Sequence, residues 1–255
     1  MGGLMMFLTE VKLVDIVKKQ FMYKLKAYLS VFSSLLTIQI IGILLSTTGS
    51  SSISMGTSSN GFSLNVSYYT GDIIIIFTMI WALISAIIIT TKAYRNDDFV
   101  FVSNRLSSNL SNIVFLLFAS IIGGITAMLS GIFFKIIMNF ILDDGNVAAT
   151  FISIQEFIVG IIASIFYVVL LASLGYFVGM LVQLSKWFTI ILPALFIGYL
   201  FLGVNMNGEP TFILEIGKFF IEESSLLEFF LKVILSASLL FSVSIILSNK
   251  MEVRQ

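Results

Sequence analysis

The chain has no cysteine, no histidine, two prolines and only 28 charged residues among 255. The missing histidine and cysteine exclude the usual zinc and iron–sulfur sites, Ser-His and Cys-His nucleophilic catalysis, disulfides and thiol redox chemistry. They do not fix a redox compartment, since a chain without thiols is compatible with either. Charge is scarce as well: 11% of residues are charged and 58% are apolar, against about 25% and about 45–50% in soluble domains. This is the composition of a membrane protein.

Six runs carry no charge at all: 27–71, 73–91, 106–134, 157–185, 187–208 and 233–249. A helix needs about 20 apolar residues to cross about 30 Å of hydrocarbon, so the runs predict six spans. These lie near Tyr28–Ser46, Asp72–Thr91, Asn112–Phe134, Phe157–Leu184, Trp187–Val204 and Leu226–Leu247. The stretch from Thr47 to Gly71 is rich in Ser, Gly, Thr and Asn, which predicts a mobile polar loop. Gly175 and Gly179 have the small-xxx-small spacing of a close helix contact without indicating which helix they touch. The third and fourth spans exceed a perpendicular crossing and are expected to tilt, kink or project.

With both termini on one side, that side holds eleven Lys and Arg against five acids, and the other side three against nine. The positive-inside rule then predicts cytoplasmic termini. Met5–Leu8 is too short for the apolar core of a signal peptide, so the first span is expected to act as the insertion signal. No hydrophilic stretch is long enough for a separate core, and the fold class is therefore an all-α integral membrane protein in which residues 1–255 form a single transmembrane domain.

Three segments are neither spans nor simple loops. In residues 1–26, Val11, Leu13, Val14, Ile16, Val17, Phe21 and Met22 alternate at helical spacing with Lys12, Asp15, Lys18, Lys19 and Lys24. This predicts an amphipathic elbow helix in the cytoplasmic interface, with Lys12, Lys18, Lys19 and Lys24 at the headgroups of the membrane lipid. Residues 92–111 place Phe99, Val100, Phe101 and Val102 in the middle of a charged inner segment; apolar groups flanked by polar ones mark a docking surface or a turn packed on the chain's own spans. Asn96 or Asp97 is the expected cap of a short helix there, and Ser107, Ser108 or Asn109 that of the third span. Residues 205–225 hold apolar residues too densely for a solvated loop, which predicts a short helix at the outer interface.

No G-x-x-x-x-G-K-[ST] loop is present, so nucleotide phosphates have no usual cradle. Lys135 and Glu156 sit at span ends, where a charge snorkels cheaply. Coupling charges expected of a gradient-driven carrier are not found near the midplane, so the energy for transport would come from another subunit. No catalytic residue, cofactor, metal or nucleic-acid partner is expected.

The order of elbow, six spans, inner docking segment and outer interfacial segment resembles the membrane subunits of bacterial ABC-2 type exporters. The resemblance covers nearly the whole chain and is most specific at Arg95-Asn-Asp-Asp-Phe-Val-Phe-Val-Ser-Asn-Arg105, which looks like the family's coupling segment. It implies a permease in the bacterial cell membrane, moving an amphipathic peptide, antibiotic or lipid-like molecule outward. Asp97, Asp98, Phe99, Val100, Phe101, Val102 and Arg105 would then couple it to an ABC ATPase subunit. Spans one, two and five would line the path, and a second permease copy, identical or related, would complete the assembly. The alternatives are a membrane protein that sequesters a membrane-active peptide without ATP, and a channel or secondary transporter.

Overall fold

A computed structural model describes residues 12–50, 52–59, 62–91, 94, 104–141, 153–205, 211–221 and 225–250. The described elements run in the order α1 (Leu13–Ala27), α2 (Leu29–Leu45), a π turn (Ser46–Ser50), β1 (Ser52–Ser59), β2 (Phe62–Tyr69), α3 (Asp72–Ile89), α4 (Arg105–Ile141), α5 (Ile154–Leu184), α6 (Phe188–Asn205), α7 (Thr211–Ile221) and α8 (Leu226–Lys250). Among the described residues five helices, α2, α3, α4, α5 and α8, are long and apolar enough to cross a membrane. The chain is a multi-pass membrane protein built of helices, with one small hairpin. The fifth predicted span corresponds to α6, whose described apolar part is Phe188–Tyr199; Pro193 lies within it.

The predicted mobile loop is instead largely ordered as β structure. β1 and β2 pair antiparallel from Ser52 opposite Tyr69 to Ser59 opposite Phe62. The reason is legible in the alternation Phe62-Ser-Leu-Asn-Val-Ser-Tyr68, a period of two that suits a strand whatever the overall polarity of the segment. The register sets Ile53 opposite Tyr68 and Met55 opposite Val66.

The helix α4 has 37 residues, about 55 Å at about 1.5 Å per residue. It begins seven residues before the predicted third span and ends seven beyond it. α3 packs most extensively on α5, and the small residues of α5 allow this. A Cβ added at Gly175 would overlap the Leu83 carbonyl oxygen, and one at Gly179 would overlap the Thr90 hydroxyl. The partner of the Gly175-xxx-Gly179 pair is therefore α3, where backbones approach as small residues permit. Leu35, Trp81, Phe115, Val168, Tyr176 and Phe241 belong to the main core cluster and draw in α2, α3, α4, α5 and α8.

The start of α5 is settled locally. Ser153 and Glu156 form a capping box, Glu156 N–H donating to Ser153 Oγ at 3.1 Å and Ser153 N–H to Glu156 Oε2 at 3.0 Å. Glu156 is thereby a helix-end residue, bound where the positive end of the dipole favours a carboxylate. A short helix, α7, forms within 205–225, as the density of apolar residues there predicts. The Tyr167 hydroxyl donates to Phe220 O at 3.0 Å, while Lys232 Nζ lies 4.0 Å from the centre of the Phe219 ring.

Candidate functional site

Polar side chains are costly inside an apolar bundle unless bonded, so the places where this bundle buries them are its informative points. The first is the seat of α1 on α4. Gln20, Lys24 and Tyr28 recur every four residues and therefore share one helix face, and all three are buried. Lys24 is 1% exposed. Its ammonium donates to Ser111 Oγ at 2.7 Å and to the side-chain carbonyl of Asn112.

This corrects the elbow as the sequence predicts it. Lys12, Lys18 and Lys19 are exposed, as a headgroup-facing set requires, but Lys24 is turned into the protein. Val14 and Met22 are 71% and 51% exposed, which leaves them open to lipid, as an apolar side in the acyl boundary requires. The helix is seated by its polar stripe with Phe21 and Leu25 beside it. Alternation of apolar and charged residues defines two faces but cannot say which one a neighbouring helix will cover. Ser111 and Asn112 on α4 are what turn Lys24 inward.

From Asn112 the polar contacts continue one turn along α4 to Asn109, whose side-chain oxygen accepts from the Tyr176 hydroxyl of α5 at 2.9 Å. Tyr176 is fully buried, and its ring lies 5.9 Å from that of Phe241 on α8. Three helices are thus joined by polar groups at one level. The side-chain amide of Gln20 and the Asn109 Nδ2 find no partner among the described residues. Such groups are ordinarily satisfied by ordered water or a bound molecule.

The start of α4 also differs from expectation. Asn104 is the cap: its Oδ1 accepts from Ser107 N–H at 2.8 Å. Ser107, Ser108 and Asn109 therefore lie inside the helix. Arg105 is partly exposed, and its Nη1 donates to Ser248 O on α8 at 3.1 Å. Of the expected coupling residues Arg105 alone is described; Asp97, Asp98, Phe99, Val100, Phe101 and Val102 lie outside the described residues, as does the expected cap at Asn96 or Asp97.

A second polar point sits deeper. Gln39 of α2 is buried and its Nε2 lies 3.0 Å from Thr126 Oγ1, 3.2 Å from Thr78 Oγ1 and 3.5 Å from Gly123 O. One amide therefore fastens α2 to α3 and α4. Trp81 Nε1 donates to Ser34 Oγ at 2.9 Å nearby on the same pair of helices.

Two hollows accompany these points. A groove of about 540 Å³ lies between α4, α5 and α8, bordered by Ile113, Leu117, Phe166, Ala237, Ser238 and Ser242 among others. A smaller cavity of about 220 Å³ lies between Tyr28, Ser30, Ser34, Ser85, Tyr94 and Phe115. Among the described residues no three of His, Cys, Asp or Glu converge as metal ligands. The described polar groups thus offer hydrogen bonds, one buried ammonium and small apolar hollows, which suits binding and packing.

Gln20, Ser111 and Asn112 are not anticipated by the sequence as polar contacts, and Asn109 is expected there only as a cap. The available signal was the spacing of Gln20, Lys24 and Tyr28, together with two asparagines three residues apart where an apolar span begins. No family model, curated protein or solved structure matches the chain.

Proposed function

We propose that the chain is the membrane-spanning permease subunit of an ABC exporter. In this reading α6 is a sixth span, both termini are cytoplasmic, and the protein resides in a bacterial cell membrane. It moves an amphipathic substrate (a peptide, antibiotic or lipid-like molecule) outward, driven by ATP hydrolysed in a separate ATPase subunit, and works with a second permease copy. The observation that carries the proposal is the seat of α1 on α4. Lys24 fastens the elbow to the helix that follows the segment 92–103, so a push delivered to that segment reaches the elbow and a span together. The apolar centre Phe99–Val102 in that segment supports the same reading.

The test is co-purification. Tagged protein extracted in mild detergent retains an ATPase subunit, and the double variant Phe99→Asp, Phe101→Asp loses both that subunit and export. Absence of any ATPase, with the double variant fully functional, overturns the proposal. Protection against a membrane-active peptide that survives ATP depletion would point to sequestration. Flux driven by an ion gradient in liposomes free of ATPase would point to a secondary transporter or channel.

A further inference from the structure

We propose that the groove between α4, α5 and α8 holds an acyl chain of an anionic phospholipid, with the lipid phosphate at Arg105. The groove is apolar apart from Ser238 and Ser242. Val233 and Ala237 are buried at its base, while Leu117, Ile121 and Ile234 at its edge are exposed, so it opens sideways from the bundle. In a membrane that opening faces hydrocarbon. Its volume of about 540 Å³ far exceeds the roughly 10–15 Å³ that one water needs, so the groove has room for a stretch of hydrocarbon chain.

Charge selects the headgroup. The groove continues the seam between α4 and α8, and Arg105 closes that seam at one end through Ser248 O. Along α4 the guanidinium-bearing residue lies eight residues before Ile113, about 12 Å. Along α8, Ser248 lies six residues after Ser242, about 9 Å. An arginine there stands at the level of a headgroup when the chain lies in the groove. Guanidinium groups suit phosphate oxygens in geometry as well as charge, and basic sites between membrane helices favour anionic headgroups. A zwitterionic lipid would fill the groove equally well but gain less at Arg105.

The experiment uses the full chain purified alone, so it is independent of the exporter reading. Co-purifying lipid is quantified by mass spectrometry after extraction in mild detergent. Wild type is expected to retain anionic phospholipid at several times its share of the source membrane. Arg105→Gln should abolish that enrichment while leaving total lipid similar, and Ser238→Phe or Ser242→Phe, which narrow the groove from an exposed position, should reduce both. In parallel, phosphatidylglycerol but not phosphatidylcholine should raise the melting temperature of delipidated wild type, a measurement that needs no variant to fold.

Lipid retained in the proportions of the source membrane, or an unchanged preference in Arg105→Gln, overturns the proposal. Equal stabilisation by both lipids does so too. Because the chain has no cysteine, Ser238→Cys is a clean probe: disulfide-linked pairs formed in the membrane would show that a second copy covers the groove instead.

Discussion

Lys24 and Asn112 are 88 positions apart in the chain and joined by a hydrogen bond. A flexible cation near a chain terminus is ordinarily solvated; here the amide and hydroxyl of α4 receive it. Replacing it by Met keeps the length and removes the donor, leaving Ser111 and Asn112 to seek others. The expected loss is about 1–3 kcal/mol, the cost of stranding a buried partner. Lys24→Met combined with Asn112→Leu should lose less than the sum of the single changes. Denaturant unfolding of the four proteins in a double-mutant cycle measures the difference.

Gly175→Ala should be the more damaging of the two close-packing changes in α5. Its new methyl would meet the backbone of Leu83, which cannot rotate aside, whereas at Gly179 it would meet a Thr90 side chain that can. Overpacking of this kind costs about 1–3 kcal/mol. Gly198→Ala, with nothing within 4 Å of the added atom, should be neutral or slightly stabilising, because alanine is the better helix former. Thermal melts of the three variants in one detergent rank them.

Gln39→Leu removes the amide that fastens α2 to its neighbours. Hydrogen bonds between membrane helices average about 0.6 kcal/mol and reach about 1.7, so the loss should stay below about 2 kcal/mol. Thr78 and Thr126 retain bonds to Ile74 O and Ile122 O of their own helices, which limits the damage. Unfolding in mixed micelles would read it.

Ser153→Ala removes half of the capping box and should cost about 0.5–2 kcal/mol. The loss should be local. Faster hydrogen exchange at residues 154–157, with protection unchanged around Tyr176, is the expected pattern.

Orientation is tested with single cysteines on the Cys-free background. Lys186 and Lys218 are both exposed and lie on opposite sides in the reading above. An impermeant maleimide added to intact cells should label Lys218→Cys and spare Lys186→Cys. The reverse pattern inverts the topology.

Most of the spans could be read from the positions of the charges, because desolvation of a charge dominates every other local preference in hydrocarbon. α3 and α5 end within a few residues of where the charge-free runs place them, and α2 ends where its run turns rich in Ser, Thr and Gly. Two features escaped for different reasons. β1 and β2 lie in a segment whose serines and glycines outweighed its alternation of apolar and polar residues. The burial of Lys24 was hidden because it is decided by Ser111 and Asn112, residues that lie far along the chain. Periodicity describes a helix by itself, and seating requires a partner.

The length of α4 has a mechanical consequence. About 25 Å of it exceeds the thickness of a hydrocarbon layer of about 30 Å if it stands upright, and it packs against α1, α2, α3, α5 and α8. Such a rod behaves as an axle: a tilt that lowers its Arg105 end must be shared by five helices. Sliding of α1, α2 and α5 along it is opposed by the bonds at Asn112, Gln39 and Asn109, and sliding of α8 by that of Arg105 to Ser248 O. The bundle is therefore pinned most along this one helix and least at α6, which packs only lightly on α5 and leaves Leu195, Phe196 and Ile197 exposed.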